Sequence, residues 1–107
     1  MMRIVWLAVL LCCSGAWADT VQGIKVNAIA QTLDDEESPF EFQASNKQHT
    51  CGGKNSAWFR VYAGNEKVAM QRFALVQLAL EKDMHLTVVT DGCEGRYLKV
   101  EAVVLSR

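Results

Sequence analysis

The apolar positions of the segment VQGIKVNAIAQTL change phase partway along it. They alternate at Ile24, Val26 and Ala28 and then continue at Ile29 and Leu33. Alternation with a period of two is typical of a β-strand, and a phase change inside such a pattern indicates a β-bulge. We therefore expect a long first strand that bends.

Two shorter strands follow. FEFQAS places Phe40, Phe42 and Ala44 on one face, and the acidic turn LDDEE precedes it. A polar loop over residues 46–56 then leads to AWFRVYA, where apolar positions again alternate. The side chains expected on the outer face of this third strand are Trp58, Arg60 and Tyr62.

The period then changes to that of an amphipathic helix. Asn65 is a suitable N-cap, and the sequence from Glu66 to Asp83 is rich in helix-forming residues. Arg72 falls inside the apolar arc, so we expect it at the edge of the arc or paired with an acid. The positions expected to face the core are Val68, Ala69, Phe73, Leu75, Val76, Ala79 and Leu80.

A second apolar stripe lies on the same helix, outside the main arc. It consists of Met70, Ala74 and Leu78, which are spaced four residues apart. Such a stripe is found at subunit interfaces, but single apolar residues are also common on ordinary protein surfaces. Both interpretations stay open at this point.

Two more strands, HLTVVTD and RYLKVEAVVL, end the chain. On the last strand Val103 and Leu105 are expected on the outer face, where they would favour an interface at an exposed edge. The residues expected on its inner face are Leu98, Val100, Ala102 and Val104.

The predicted order of elements is β-β-β-α-β-β. This order predicts a mainly β, α+β domain, an OB-fold-like barrel of five strands with one helix between the third and fourth. A bent first strand favours closure, because a closed sheet needs strands that turn corners. An open α+β sheet covered by one helix is the alternative.

The first eighteen residues have the pattern of a secretory signal peptide. Arg3 precedes an apolar run over residues 4–13, and Ala16-Trp17-Ala18 forms a cleavage site. A lipoprotein signal ending at Cys12 or Cys13 is a weaker alternative, since the preceding residues are not small. We expect residues 1–18 to be removed and residues 19–107 to form a single domain, periplasmic or secreted.

Residues 19–107 carry ten basic and twelve acidic side chains, a formal charge of −2. This balance does not favour binding to nucleic acid or to an anionic membrane surface. No segment after residue 18 is apolar over the length needed to span a bilayer. The acidic run over residues 34–37 lacks the spacing of a calcium loop and is expected to be a solvated turn.

Two cysteines, Cys51 and Cys93, remain after residue 18, and both have glycine neighbours. In an oxidising compartment such a pair is expected to form a disulfide, and closing the loop between them stabilises the fold by about 4 kcal/mol. A metal site with His49 and His85 is the alternative. It has no C-x-x-C or H-x₃₋₅-H spacing to support it, and we expect no metal and no cofactor.

The cysteine-containing loop before NSAWF, the long helix with HLTVV after it, and the second cysteine resemble the B subunits of subtilase-type bacterial toxins. The resemblance covers residues 21–105 in layout. It implies an OB-fold, assembly into rings of five, and binding to host glycans. In that family a serine-bearing segment near the third strand contributes to sugar binding, and KNSAW places Ser56 there.

The sequence contains no G-x-S-x-G, H-E-x-x-H or phosphate-binding glycine loop, so we expect a binding protein rather than an enzyme. The candidate ligand or interface face consists of Ser56, Trp58, Arg60 and Tyr62. Cross-strand packing is the alternative role of this row. Two functions remain: a glycan-binding subunit with the stripe Met70, Ala74 and Leu78 as its oligomer contact, or a monomeric envelope module that binds a protein or small molecule.

Overall fold

The computed structural model describes residues 19–33 and 39–107. The expected signal peptide and the acidic turn at residues 34–37 lie outside these ranges. The elements are β1 (Asp19–Ala30), β2 (Phe40–Ala44), a 3₁₀ turn (Cys51–Gly53), β3 (Trp58–Val61), α1 (Glu66–Lys82), β4 (His85–Glu94) and β5 (Tyr97–Ser106). The predicted five strands and one long helix are confirmed, and the 3₁₀ turn between β2 and β3 is an addition to the predicted order.

The five strands form one sheet that closes on itself in the order β1-β2-β3-β5-β4. All pairs are antiparallel except β3 with β5. The bulged first strand is also confirmed, because its register shifts between Val26 and Ala28 against β2 and between Val21 and Ile24 against β4. These irregularities let β1 bend and pair with both neighbours.

The core lies inside the closed sheet and under α1. The rings of Phe42 and Phe59 stack with centroids 4.9 Å apart, as expected from their positions opposite one another on β2 and β3. Burial of this apolar surface is the main stabilising contribution. Other fully or nearly fully buried side chains are Ile24, Val61, Val76, Ala79, Leu86, Val88 and Val100.

Both ends of α1 are capped. Asn65 Oδ1 accepts a hydrogen bond from the backbone N–H of Val68, which confirms the predicted N-cap. At the other end Asp83 adopts the left-handed conformation, and its backbone N–H donates to the carbonyl oxygen of Ala79. The helix therefore begins and ends where its sequence indicates.

The predicted core arc of α1 is correct for Ala69, Val76 and Ala79 but wrong for Phe73 and Leu80, which are 39% and 41% exposed. The buried side of the helix is narrower than the apolar pattern indicates, and Phe73 lies at its margin, edge-on to the ring of Phe40.

Arg72 is half-buried, which agrees with the expected position at the edge of the apolar arc. Its guanidinium donates to the backbone carbonyl oxygen of Tyr62, a contact that the sequence did not predict. It ties the helix to the segment that follows β3, where no further strand pairing satisfies that carbonyl group.

The expected faces of β5 are correct up to Val100 and wrong beyond it. Ala102 pairs with Val89 while Val100 pairs with Thr90, so Glu101 is an extra residue and the alternation inverts after it. As a result Val103 and Leu105 pack against the core, whereas Val104 is 55% exposed.

Within residues 19–33 and 39–107, no helix has the length and hydropathy of a membrane-spanning segment.

Candidate functional site

The third strand presents alternate side chains to the core and to the outside, as its pattern predicts. Phe59 and Val61 are buried inside the closed sheet. Trp58 and Tyr62 are half-buried on the outer side, and Arg60 lies between them on the same side. Arg60, however, is only 8% exposed, so the row is not an open surface.

Arg60 is held by groups from three other strands. Its Nε donates to Glu41 Oε2 on β2 at 3.1 Å, and its Nη1 donates to Glu94 Oε1 at the end of β4. Its Cζ lies 3.9 Å from the centroid of the Tyr97 ring at the start of β5. The Arg60 guanidinium is therefore bound by two carboxylates and packs against one aromatic face.

Glu41 is fully buried although it lies on the outer side of β2. Its second oxygen, Oε1, accepts from the backbone N–H of Thr32 at 3.0 Å and from the Thr32 hydroxyl at 2.8 Å. Both carboxylate oxygens are thus paired, as a buried charge requires. Glu41 joins the segment after β1 to β3.

Tyr62 and Glu94 form the other half of this network. The Tyr62 hydroxyl donates to Glu94 Oε1 at 2.7 Å and to Oε2 at 2.9 Å. Burial, followed by the hydrogen bond to Glu94 and the charge of Glu94, raises the pKa of Tyr62 to about 12. The hydrogen bond from Tyr62, followed by that from Arg60, holds the pKa of Glu94 below its ordinary value.

The charge of Arg60 is stabilised in the same network. Burial lowers the pKa of its guanidinium, but the hydrogen bonds to Glu94 and Glu41 and the charges of both carboxylates raise it, and the net pKa lies above the ordinary value. In the described residues, no buried side-chain nitrogen or oxygen is left without a hydrogen-bond partner. The buried polar atoms of the network are therefore paired within the protein.

Ser56 and His49 hold the loop between β2 and β3. The Ser56 hydroxyl donates to the carbonyl oxygen of Arg96 at 2.8 Å and accepts from the N–H of Trp58 at 3.2 Å. His49 contacts the Trp58 carbonyl oxygen through Nε2 at 2.7 Å and accepts from the Cys51 N–H at Nδ1. The polar atoms of Ser56 thus position Trp58 and Arg96.

The predicted disulfide between Cys51 and Cys93 is confirmed. It joins the 3₁₀ turn to the end of β4, next to the β4–β5 hairpin. Gly52 then lies so close to this hairpin that a Cβ on it would be 3.2 Å from the Cα of Arg96. The disulfide and the glycine together bring Arg96 beside β3.

Trp58, Tyr97 and Arg96 lie at the outer surface of this side of the sheet, where Arg96 is exposed and the two aromatic rings are half-buried. The rings of Trp58 and Tyr97 meet edge to face with centroids 6.1 Å apart. The Cζ of Arg96 lies 5.6 Å from each ring centroid. We call these three residues the aromatic–arginine surface.

A groove of about 290 Å³ opens next to Trp58 and Arg96. Two lysines and two amides line it, and no carboxylate does. They are Lys47, Lys54, Gln43 and Asn55. The groove therefore combines an aromatic face with cationic and neutral donors.

A second groove, of about 630 Å³, lies beyond Tyr62 and Glu94. Basic and acidic side chains both line it, whereas the charged side chains that line the first groove are all basic. Those of the second groove include Arg72, Lys99, Asp91 and Glu101.

The alternative metal site loses two of its ligands, because Cys51 and Cys93 are bonded to each other. Among residues 19–33 and 39–107, no group of three or more His, Cys, Asp or Glu side chains is placed to hold a metal ion.

Four contributors to this site were not among the residues expected from the sequence: Glu41, Glu94, Arg96 and Tyr97. Glu41 shares the outward phase of its strand with Gln43, but only the register that sets it opposite Arg60 gives it a role. The other three belong to the β4–β5 hairpin, whose contact with β3 is a long-range pairing. A comparison with protein-family models and with curated proteins found no match.

Proposed function

We propose that this chain is a small exported binding protein that takes a glycan on the aromatic–arginine surface. The observation that carries the proposal is the placement of Arg96 over Trp58 and Tyr97 at the rim of the groove. Aromatic faces pack on the apolar side of sugar rings, and fixed donors bind hydroxyl and carboxylate groups. Arg60 acts as a support beneath this surface, because its guanidinium is already bonded.

An OB-fold assignment supports this location. The closed sheet of five strands, with α1 between β3 and β4, fits the Greek-key barrel of that fold. OB-folds bind oligosaccharides and oligonucleotides on the face of strands 2 and 3 and on the loops next to it. The groove lies beside β3 and reaches the β4–β5 hairpin, which corresponds to that face.

The charges around the groove favour an acidic glycan. Lys47, Lys54 and Arg96 surround it, although residues 19–107 as a whole carry more acidic than basic side chains. A ligand with a carboxylate or sulfate group would form charge-assisted hydrogen bonds with these cations. We therefore expect acidic oligosaccharides to bind more tightly than neutral ones of the same size.

Export is part of the proposal. It rests on the pattern of residues 1–18, and the disulfide supports it, since such bonds persist in oxidising compartments. The resemblance to the B subunits of subtilase-type toxins agrees with glycan binding.

The proposal is tested by measuring the binding of residues 19–107, with the disulfide formed, to carboxylated, sulfated and neutral oligosaccharides. We expect saturable binding of an acidic oligosaccharide. Trp58→Ala should lower the affinity about tenfold or more, and Lys54→Glu should lower it about threefold to tenfold at low salt. Lys82→Glu, an equal charge change on α1, is the matched control and should leave binding unchanged.

Failure of all three saccharide classes to bind would reject the proposal, as would binding that Trp58→Ala and Lys54→Glu both leave intact. Because Trp58 is half-buried, the thermal unfolding of Trp58→Ala is measured alongside. Lys54 is exposed, so Lys54→Glu tests the groove without disturbing the core.

A monomeric envelope protein that binds another protein or a small molecule is the second candidate. The mixed-charge groove lined by Tyr62, Arg72 and Lys99 favours it, because that groove is larger than the one beside Trp58. Binding that responds to Lys99→Glu and not to Lys54→Glu would select this function instead.

A further inference from the structure

Helix α1 carries several large apolar side chains on its solvent side. Met70 is 66% exposed, and Leu78 is 40% exposed. Ala74 lies between them and is also exposed. An exposed apolar stripe along one face of a helix is typical of an interaction surface.

Charged residues extend the stripe at both ends. Lys67 precedes it and Glu81 follows it, and both are exposed. With 3.6 residues per turn, Lys67, Met70, Ala74, Leu78 and Glu81 fall within an arc of about 80°. We call these five residues the α1 stripe.

The α1 stripe is its own complement under a two-fold rotation. Met70 and Leu78 lie four residues before and after Ala74, and Lys67 and Glu81 lie seven residues before and after it. If two copies of α1 pack antiparallel with Ala74 at the centre, Met70 meets the Leu78 of the other copy. Lys67 then meets the other Glu81, so each pair forms twice.

We propose that this protein forms a two-fold symmetric dimer through antiparallel packing of α1 on the α1 of a second copy. The small side chain of Ala74 lets the helices approach closely at the axis. The opposite charges of Lys67 and Glu81 set the antiparallel direction, because a parallel pair in register would place like charges together. A two-fold contact is self-complementary by definition, which is the property that this stripe has.

The proposal goes beyond ligand binding and does not depend on it. The aromatic–arginine surface lies on β3 and the β4–β5 hairpin, and the α1 stripe lies on the helix. The two-fold relationship also differs from the ring of five, where one face of each copy meets a different face of the next. One helix pair is smaller than a standard interface of roughly 800 Å² per partner, so the dimer should dissociate on dilution.

The test is sedimentation velocity on residues 19–107, with the disulfide formed, over a series of protein concentrations. The unaltered chain should shift from monomer to dimer as concentration rises. Lys67→Glu alone and Glu81→Lys alone should each raise the dissociation constant about tenfold, since each replaces two attractive contacts by two repulsive ones. The double variant Lys67→Glu/Glu81→Lys should dimerise again.

An equimolar mixture of the two single variants gives the sharpest result. In the mixed dimer one copy supplies glutamate at both positions and the other supplies lysine at both, so both contacts between residues 67 and 81 are attractive. The mixture should therefore form dimer at concentrations where each variant alone is monomeric. Lys82→Glu, which is outside the α1 stripe, is the matched control.

Helix unfolding does not account for loss of the dimer in these variants. Lys67 is in the first turn of α1 and Glu81 is next to its last residue, so both reversals improve the match to the helix dipole. A chain that is monomeric at all concentrations would overturn the proposal. A pentamer would also overturn it. So would a dimer whose dissociation constant does not change when the charge at Lys67 or Glu81 is reversed.

Discussion

Arg60 on β3 stands directly opposite Glu41 on β2, and its Nε donates to Glu41 Oε2 at 3.1 Å. Because of this pair, Arg60 is buried although it lies on the outer side of β3, and it packs beneath the exposed side chains there. The aromatic–arginine surface rests on it, because the Tyr97 ring lies against the Arg60 guanidinium. The stability of the pair and the shape of the surface are therefore coupled.

Removal of Arg60 should destabilise the fold strongly. Arg60→Met leaves the fully buried Glu41 carboxylate without its cation, and breaking such a pair costs about 3–5 kcal/mol. Urea unfolding measures this loss. The double variant Glu41→Leu/Arg60→Met should recover most of it, because no fully buried charge is left unpaired: Glu94 is 40% exposed and keeps its hydrogen bond from Tyr62. Lys25→Met breaks the exposed contact with Asp83 and should cost less than about 1 kcal/mol.

Alkaline pH should remove the contribution of the protonated Tyr62 hydroxyl to the stability of the fold. Its pKa is about 12 in the folded chain against an ordinary value of 10.0, so folding favours the protonated phenol. The resulting stabilisation is present below pH 10 and is lost as pH rises toward 12. Phenolate absorbance should show a component titrating near pH 12 that is missing in Tyr62→Phe. Its persistence in that variant would contradict the assignment.

Loss of the disulfide should affect both stability and the groove. Cys51→Ala/Cys93→Ala should lower the free energy of unfolding by about 4 kcal/mol, given the 42-residue separation. Trp58 should also become more exposed, since the 3₁₀ turn and the hairpin are no longer joined. Trp58 is the single tryptophan of residues 19–107, so its fluorescence measures this directly. An unchanged emission spectrum would argue against a disulfide-built groove.

Gly52 and Gly53 offer a matched pair of substitutions. Both have positive φ angles, +78° and +79°, so alanine is strained by about 1–2 kcal/mol at either position. Only at Gly52 would the new Cβ also press on the backbone of Arg96. Gly52→Ala should therefore destabilise more than Gly53→Ala and should weaken saccharide binding, whereas Gly53→Ala should not. Equal effects would mean that the close approach to Arg96 is unimportant.

Local sequence patterns correctly predicted those strands, helix ends and core-facing positions that depend on only a few residues adjacent in the sequence. The core-facing residues of FEFQA and WFRV, the Asn65 cap and the phase change in β1 each depend on a few adjacent residues, and each is confirmed. The two cysteines also predicted their bond, because only one pairing was available.

Features that depend on register could not be predicted in this way. The extra residue Glu101 inverts the faces of β5, and nothing in its apolar run marks that position. The burial of Glu41 and Arg60 depends on β2 facing β3 in one particular register. Tyr97 and Arg96 reach Trp58 because β5 pairs with β3 across nearly forty residues of sequence and the disulfide joins the 3₁₀ turn to the end of β4.

The proposed function requires that Trp58 contact a bound acidic glycan. Titration of residues 19–107 with carboxylated or sulfated oligosaccharides, followed by tryptophan emission, tests it most directly because that emission comes from Trp58 alone. We predict a saturable change in emission that neutral oligosaccharides of the same size do not produce. Calorimetric binding of an acidic oligosaccharide with no change in Trp58 emission would contradict the claim, and so would the absence of any binding.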